Sequence, residues 1–324
     1  MQCAPFSEDR RTFRVYTVPA QCVKAYPHTA SQCASLIMKI MIQAWHVTSM
    51  QNIKLQLDAS SLDEIIRQLP DGYFSTFRTF DECTRVLGLT AHLGRLYEPV
   101  DKPDVSASFL RRQLFTLLEP LRPDEARVRM IMTKQGQSYI AIESLKPLPR
   151  EIYERGVQVE TTELQREHPR LKSTSFIGRS DSERKHIAHE GIFEALLVKN
   201  GKILEGMTSN FFYIKSYRAE RKAKGGEAIL YTAQDDILLG VTRKTVIDVA
   251  QGRGVEVRYE PLKQDQLADI DEAFITSSSR GVVPVIKIGN VTIGQGRPGP
   301  ITIELMSVYQ AYVIEKAEKI LPAS

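Results

Sequence analysis

The sequence predicts an α+β fold with two domains, a small α/β N-terminal domain and a larger strand-rich C-terminal domain. Three observations predict it. Apolar segments typical of strands recur along the chain, and a few segments with helical spacing lie between them. The run Leu-Lys-Pro-Leu-Pro at 145–149 would form a rigid, extended connection between domains. The length of 324 residues leaves room for two domains with separate cores.

This division separates four segments along the chain. We expect an N-terminal extension of unknown role at 1–55, a small α+β domain at 56–144, a linker at 145–150 and the larger domain at 151–324. The extension holds three of the four cysteines and the single tryptophan. One hypothesis is that the natural start lies nearer Met50, where Ile53–Leu57 alternates like a first strand and the preceding segment is poorly ordered.

The small domain is predicted from two helical and three strand patterns. Ser61 and Glu64 fit a capping box that begins a short helix through Leu69, and Pro70-Asp71-Gly72 ends it. A second helix is predicted from the apolar spacing within Ser106–Leu118. The predicted strands are Tyr73–Phe80, followed by the pair Val128–Met132 and Tyr139–Ile142.

The larger domain is predicted to consist mainly of strands, with a few helices around them. Residues 217–227, rich in Lys, Arg and Gly, are interpreted as a solvated hairpin tip. Helices are expected near 242–251 and 302–318. The predicted strands are 156–160, 192–198, 202–205, 209–215, 228–232, 254–260, 272–276 and 283–288.

Composition and charge exclude several classes of protein. The net charge of +4 is small and the basic residues are interleaved with acids, which argues against a nucleic-acid partner. The apolar run Leu36–Val47 is interrupted by polar residues and is too short to span a bilayer, so we expect a buried helix or strand and no membrane partner. The four cysteines have neither metal-ligand spacing nor the density of a disulfide framework. With no secretory signal evident, this suits a cytoplasmic protein.

Four short segments outline a site for a cofactor. They are residues 171–177 (LKSTSFI), 204–210 (LEGMTSN), 240–243 (GVTR) and 276–279 (TSSS). Together they offer an amine able to form a Schiff base, a carboxylate that can hold a protonated ring nitrogen, and two groups of amides and hydroxyls suited to a phosphate. Pyridoxal 5'-phosphate is the common cofactor that needs all of these.

In their order and spacing these motifs resemble the fold-type IV pyridoxal-phosphate enzymes. That family includes the branched-chain and D-amino-acid aminotransferases and aminodeoxychorismate lyase. The resemblance covers about residues 62–319 and includes Asp71-Gly72-Tyr73-Phe74 and His92-Leu93-Gly94-Arg95. It implies a pseudo-barrel in the larger domain, a cofactor between the two domains, and a homodimer in which the partner subunit helps to close the pocket.

The resemblance assigns the covalent and electronic roles to two residues. Lys172 would carry the cofactor and move the proton between the substrate carbon and the cofactor. Its pKa would have to be depressed by desolvation and neighbouring positive charge. Glu205, at the end of a short strand, would keep the ring nitrogen protonated, and Ser209 and Asn210 follow it in the same motif.

Phosphate binding and substrate binding are assigned to other segments. Val241 and Thr242 precede a helix, whose positive dipole end favours an anion. Arg95 supplies a permanent cation. Ser277 and Ser278 would donate to the phosphate, and the Ser279 amide would meet the substrate carboxylate. The predicted substrate contacts are completed by Phe74, Arg78 and Arg129, although for Arg129 a structural role is an even alternative.

One position departs from the branched-chain subgroup. Those enzymes carry a tyrosine five residues after the lysine, where this chain has Ile177, and the D-amino-acid enzymes have an aliphatic residue there. The cofactor role is unaffected. His186-Ile187-Ala188-His189-Glu190 has the residue types of a zinc helix in an unproductive order, so an exposed helix and no metal site are predicted.

These observations predict an aminotransferase of amino-acid metabolism. It would move an amino group between an amino acid and a 2-oxo acid by a ping-pong mechanism. Two alternatives stay open. The first is a lyase of the aminodeoxychorismate type that shares the lysine, the glutamate and the phosphate site but releases pyruvate. The second is a non-catalytic relative that acts as a binding module.

Overall fold

Two sheets account for most of the strands in a computed structural model of the protein, which describes residues 42–216 and 228–321. The helices are α1 Leu62–Arg67, α2 Leu89–Tyr97, α3 Ala107–Leu118, α4 Arg150–Arg155, α5 Ser175–Arg179, α6 Asp181–His189, α7 Val241–Gly252 and α8 Pro300–Lys316. The strands are β1 Ile42–Val47, β2 Asn52–Lys54, β3 Gly72–Arg78, β4 Arg85–Val86, β5 Ala126–Thr133, β6 Ser138–Ser144, β7 Val157–Thr162, β8 Glu194–Lys199, β9 Lys202–Gly206, β10 Asn210–Ser216, β11 Ala228–Thr232, β12 Glu256–Arg258, β13 Leu262–Lys263, β14 Glu272–Ser277, β15 Gly281–Ile288, β16 Val291–Thr292 and β17 Glu318–Lys319.

The first sheet has five antiparallel strands in the order β2-β1-β6-β5-β3. One face packs on α2 and α3 through a core that includes Phe77, Leu93 and Leu114. Strands β1 and β2 belong to this sheet, so it includes residues that were assigned to the N-terminal extension 1–55. Residues 1–41 lie outside the described part of the chain, and the domain boundaries at 145–150 stay a prediction.

The predicted helix starts of the small domain are confirmed. Ser61 is the N-cap of α1, and its Oγ accepts a hydrogen bond from the Glu64 amide at 3.2 Å. The Glu64 carboxylate reaches back to the amide of Ser60 rather than to that of Ser61, so the capping box is shifted by one residue. Ser106 caps α3 in the same way, through the amide of Phe109.

The second sheet has ten strands and closes on itself. Along the path β10-β14-β15-β7-β8-β9 each strand is hydrogen-bonded to the next, and β9 pairs back with β10 at Glu205 and Asn210. This closed ring is the predicted pseudo-barrel. The predicted strands of the larger domain are present, although the one expected at 254–260 covers only Glu256–Arg258. The hairpin tip expected at 217–227 falls outside the described residues.

Two apolar clusters hold this ring and its helices. One contains inward-facing residues such as Val159, Leu196 and Phe211. The other packs α7 and α8 against Phe212 and Phe274, whose rings stack at 4.9 Å. Both helices were predicted from apolar spacing, and both are present.

The segment that carries Lys172 connects the two sheets. The Phe74 amide donates to the Lys172 carbonyl at 2.9 Å, and Tyr73 forms an isolated antiparallel bridge with Ser173. The Gly72 amide donates to the Thr174 hydroxyl at 2.9 Å. These bonds fix Lys172 against the start of β3, shortly before α5 begins.

Candidate active site

A cavity of about 310 Å³ lies between the closed ring and the five-stranded sheet. Strands of both sheets, the Lys172 segment and the start of α7 contribute to its walls. Of the residues predicted from the sequence, those lining it are Phe74, Arg95, Arg129, Lys172, Glu205, Ser209, Asn210, Val241, Thr242, Ser277, Ser278 and Ser279.

Arg78 does not line this cavity. Its side chain is on the same face of β3 as that of Phe74, because side chains alternate along a strand. It lies four residues further along the strand, however, which is roughly 13 Å at the usual rise per residue. Its guanidinium instead lies 4.7 Å from the centre of the Phe80 ring. The substrate contact predicted for Arg78 therefore has no support in this geometry.

Lys172 projects its amine toward the Phe74 ring, with Nζ 4.9 Å from the ring centre. Burial lowers the pKa of this amine well below its usual value, and the positive charges of Arg95, Arg166 and Arg129 lower it further. Glu205 acts in the opposite direction but does not offset these effects. A neutral amine is nucleophilic and able to accept a proton, so the surroundings of Lys172 favour its reactive form.

Glu205 lies at the end of β9, where the ring of strands closes, and its side chain is buried. Oε1 accepts from Arg166 Nε at 2.8 Å, and Oε2 accepts from the Leu238 amide at 3.1 Å and from Asn210 Nδ2 at 3.2 Å. We call Glu205, Arg166 and Asn210 the Glu205 cluster. Burial raises the pKa of Glu205, and Arg166 and the Leu238 amide offset this only in part.

Arg166 is a residue of this site that the sequence patterns missed. Its side chain is 6% exposed, its Nη2 donates to the Met207 carbonyl at 2.7 Å, and its guanidinium lies 3.9 Å from the centre of the Phe176 ring. It belongs to an irregular loop before Lys172 with no periodicity to reveal its direction. Only the folded chain brings it to Glu205.

The part of the cavity formed by the start of α7 is rich in hydrogen-bond donors. Gly240 is the N-cap of α7 and no side chain caps the first turn, so the positive end of the helix faces the cavity with its amides available. The Thr242 hydroxyl donates to Ser278 Oγ at 3.3 Å, which links the helix to the turn after β14. A Cβ on Gly240 would lie 2.3 Å from Asn210 Oδ1, so a side chain there would displace the Asn210 amide. This arrangement suits a phosphate.

Arg95 reaches the same region from α2. Its Nη2 donates to Ser75 Oγ at 2.8 Å, and the buried His92 shares that hydroxyl through Nδ1 at 2.8 Å. Burial lowers the pKa of Arg95 to about 10. Burial, together with Arg95 and Lys172, holds the pKa of His92 well below its usual value. His92 therefore supports Ser75 as a neutral ring, and Arg95 is the cation of this pair beside the cavity.

Another part of the cavity wall contains three linked charges. The two oxygens of Asp63 accept from Arg129 Nη1 and, at 3.2 Å, from Arg184 Nη1. We call these three residues the arginine cluster. Although burial would raise the pKa of Asp63, Arg129 and Arg184 together bring it below its usual value. The Arg129 guanidinium also lies 4.8 Å from the centre of the Phe74 ring, the ring that Lys172 contacts.

A second network that the sequence patterns missed lies beside the turn of Ser277–Ser279. Arg280 donates from Nη2 to Glu194 Oε2 at 2.7 Å and to the Thr208 hydroxyl at 2.6 Å. Glu194 is 2% exposed and also accepts from the Thr208 amide at 2.6 Å. This network fixes the loop after Glu205 against the turn that holds Ser279.

Neither a metal site nor a membrane-spanning helix lies within residues 42–216 and 228–321. No three His, Cys, Asp or Glu side chains lie close enough there to hold a metal ion. The predicted exposed helix at His186–Glu190 is α6, whose two histidines are solvent-facing. None of the helices in these ranges has the length and apolar character needed to cross a membrane.

Sequence comparisons place the chain among aminotransferases. The sequence pattern of the family described as amino-transferase class IV matches residues 72–288. The D-alanine aminotransferase of Bacillus licheniformis is 24% identical over 276 residues, which cover 78% of this chain and 91% of that protein. A putative branched-chain-amino-acid aminotransferase of Methanocaldococcus jannaschii is 27% identical over 263 residues, or 74% of this chain and 86% of that protein.

Solved structures share the fold. A putative branched-chain amino acid aminotransferase from Thermotoga maritima matches with a TM-score of 0.67 and 24% identity over 84% of this chain and 96% of its own. A hypothetical aminotransferase from Mycobacterium tuberculosis, in its PLP-bound form, matches with a TM-score of 0.64 and 20% identity over 85% and 99%.

The closed ring, the buried lysine and the donor-rich helix start define a fold-type IV enzyme with an α+β architecture. The chain belongs to the class IV aminotransferases, because the family pattern covers most of its length. It is a class IV transaminase, and this family uses pyridoxal phosphate.

Proposed function

We propose that this protein is a pyridoxal-phosphate-dependent aminotransferase that moves an amino group between an amino acid and a 2-oxo acid in two half-reactions. The observation that carries the proposal is the buried amine of Lys172, with a pKa well below its usual value, in a cavity that also holds Glu205 and the uncapped start of α7. An amine and a carboxylate of this kind beside a phosphate site are what the cofactor requires.

The donor groups of the cavity fit the cofactor. Arg95 Nε, Ser209 Oγ and Thr276 Oγ1 are buried and have no hydrogen-bond partner among the described residues. All three side chains line the cavity. Buried polar groups are normally paired, so unpaired donors that face a cavity favour a polar ligand. Thr242, Ser277 and Ser278 with the amide of Val241 would hold its phosphate, and Arg95 would balance its charge.

The cofactor, when bound, withdraws electrons from the substrate carbon and so makes its proton removable. Lys172 would bind the cofactor covalently and, once released by the substrate amine, would take the proton from the substrate carbon and return it to the cofactor. Glu205 would hold a proton on the ring nitrogen through Oε1 or Oε2, with Arg166 and Asn210 fixing its orientation. Phe74 would pack against the substrate, and the Ser279 amide would bind its α-carboxylate.

The experiment that tests this proposal has two steps. Borohydride reduction of protein supplied with pyridoxal phosphate, followed by peptide mapping, should place the pyridoxyl group on Lys172. Assays with L- and D-amino acids as donors and several 2-oxo acids as acceptors should then show amino transfer that depends on the acceptor. Pyruvate release without an acceptor would indicate the lyase reaction instead. A wild-type phenotype of Lys172→Ala in cells would favour a non-catalytic binding module.

We also propose a homodimer, on the family resemblance, and a cytoplasmic location, on the cysteine usage of the chain. The free, buried thiol of Cys83 is compatible with a reducing compartment. Sedimentation of the purified protein tests the dimer, and a mass of 36.6 kDa in solution would contradict it.

A further inference from the structure

The turn after β14 presents two backbone amides to the cavity. Residues 277–280 form a β-turn, which the Arg280 amide closes by donating to the Ser277 carbonyl at 3.3 Å. Within the described part of the chain neither the Ser278 amide nor the Ser279 amide has a protein acceptor, and both residues line the cavity. Amides without a partner at the wall of a cavity favour an anionic group of a ligand.

The side chain of Arg280 closes this turn a second time and joins it to the loop after Glu205. Its Nε donates to Ser277 Oγ at 3.0 Å, while its Nη2 donates to Glu194 and to the Thr208 hydroxyl. The Glu194 carboxylate is buried and also accepts from the Thr208 amide. A single guanidinium therefore fixes the turn and the loop relative to each other.

Other contacts hold the two ends of the turn. From the start of α7 the Thr242 hydroxyl donates to Ser278 Oγ at 3.3 Å. At the other end the Tyr153 hydroxyl donates to the Arg280 carbonyl at 2.8 Å. Ser279 lies between these contacts, directly before Arg280. We therefore expect the direction of the Ser279 amide to depend on Arg280, whereas Ser278 is also held by α7.

We propose that Arg280 is a positioning residue for the α-carboxylate of the substrate. It keeps the Ser279 amide directed at the carboxylate, and its buried ion pair with Glu194 keeps the guanidinium in place. The inference rests on the proposed aminotransferase function, which assigns the α-carboxylate to that amide. Because every amino acid and 2-oxo acid carries this group, the loss of Arg280 weakens all substrates to a similar degree.

Binding of a carboxylate that cannot react tests this role. Butyrate is titrated into the full-length protein loaded with pyridoxal phosphate, and the absorbance of the cofactor is followed. Arg280→Gln should weaken butyrate about tenfold, roughly the contribution of one hydrogen bond to a charged group. The affinity for pyridoxal phosphate should change by less than about twofold, because the start of α7 remains intact.

Two further variants and a control make the comparison sharper. Arg280→Gln leaves the buried Glu194 without its cation, so the double change Arg280→Met with Glu194→Gln removes the clamp without leaving an unpaired charge. It should weaken butyrate as much as Arg280→Gln does, with a melting temperature closer to that of the wild type. Arg280→Lys should retain part of the affinity. Arg253→Gln, which changes an exposed arginine, should retain all of it.

Steady-state kinetics gives a second measurement. In Arg280→Gln the KM values of chemically different amino acids should rise by a similar factor of about ten while kcat changes less, as expected when binding is lost equally from the ground and transition states. Unchanged butyrate affinity, or a loss of pyridoxal phosphate affinity as large as that of butyrate, would overturn the role of Arg280. Failure of the wild-type protein to bind pyridoxal phosphate would instead overturn the proposed function.

Discussion

The Glu205 cluster and the arginine cluster use the same residue types and have opposite properties. Glu205 is matched one to one with Arg166, both side chains are almost inaccessible, and the pKa of the carboxyl is raised by burial. Asp63 is shared by two arginines, its side chain is 25% exposed, and its pKa is lowered. Two factors decide whether the pKa of the carboxyl group rises or falls: the number of arginines around it and how deeply its side chain is buried.

The two clusters also differ in how many of their hydrogen-bond donors have partners in the protein. In the Glu205 cluster an arginine, an amide and an asparagine converge on one carboxylate from three sides. In the arginine cluster each guanidinium keeps an Nη2 group without a protein acceptor among the described residues. We therefore expect changes near Glu205 to affect all substrates alike, and changes near Asp63 to alter the choice among them.

The largest expected effect belongs to Lys172, which lies between the two clusters. Lys172→Ala should lower the rate of amino transfer by at least roughly 10²–10⁴-fold with every substrate, because the proton carrier at the substrate carbon is lost. Initial rates measured with saturating pyridoxal phosphate check it. Lys199→Ala, an exposed lysine paired with Asp236, is the control and should keep full activity. A general loss of less than tenfold in Lys172→Ala would contradict the assigned role.

Removing the arginine of the Glu205 cluster should reduce stability more than any other change of a single arginine in the cavity. Arg166→Met leaves the Glu205 carboxylate buried without its cation, and such losses cost about 3–5 kcal/mol of unfolding free energy. Urea unfolding of cofactor-free protein measures it. Arg170→Met, which removes a half-exposed arginine beside Asp235, should change the unfolding free energy little. Equal effects of the two changes would show that the Glu205 cluster is not tightly paired.

Asp63→Asn should lower the free energy of unfolding by a smaller amount, and the size of this loss should depend on pH. The pKa of Asp63 lies below its usual value in the folded protein, so its ionised form stabilises the fold at neutral pH and loses this effect as pH falls through the folded pKa. We expect a loss of roughly 1.5–3 kcal/mol at pH 7 that disappears in acid. Unfolding measured from pH 7 downward checks it, and a loss that is independent of pH would contradict the ionic interpretation.

The smallest expected effect concerns the phosphate region. Thr242→Ala removes one hydroxyl while the amides at the start of α7 remain, so the loss should be roughly 0.5–1.5 kcal/mol, or about two- to tenfold in affinity for pyridoxal phosphate. Equilibrium titration followed by absorbance measures it. Thr245→Ala, one turn further into the helix, should leave the affinity unchanged. A selective effect on some substrates would argue that Thr242 belongs to the substrate side.

Residues at the ends of strands and the starts of helices were predictable from the sequence. Glu205 is the penultimate residue of β9, Thr242 is the second residue of α7 and Ser278 follows β14, and in each place the local backbone fixes where the side chain or amide points. Arg78 was predicted for the same cavity because it lies, like Phe74, on the strand that lines the pocket in the family that the sequence resembles. The length of the strand carries it away from the cavity, and alternation along a strand gives the face of a residue but not its distance from a site.

The sequence by itself determined the α+β class and the order of the elements, because these depend on periodicity, and its short motifs predicted the lysine, the glutamate and the phosphate-region residues. Only the tertiary structure decided that Arg166 faces Glu205 and that Asp63 joins Arg129 to Arg184. These contacts join residues 39 to 121 positions apart in the chain. Long flexible side chains from different elements carry no local signal of direction, so the charge balance of the cavity appears only when the sheets and helices pack together.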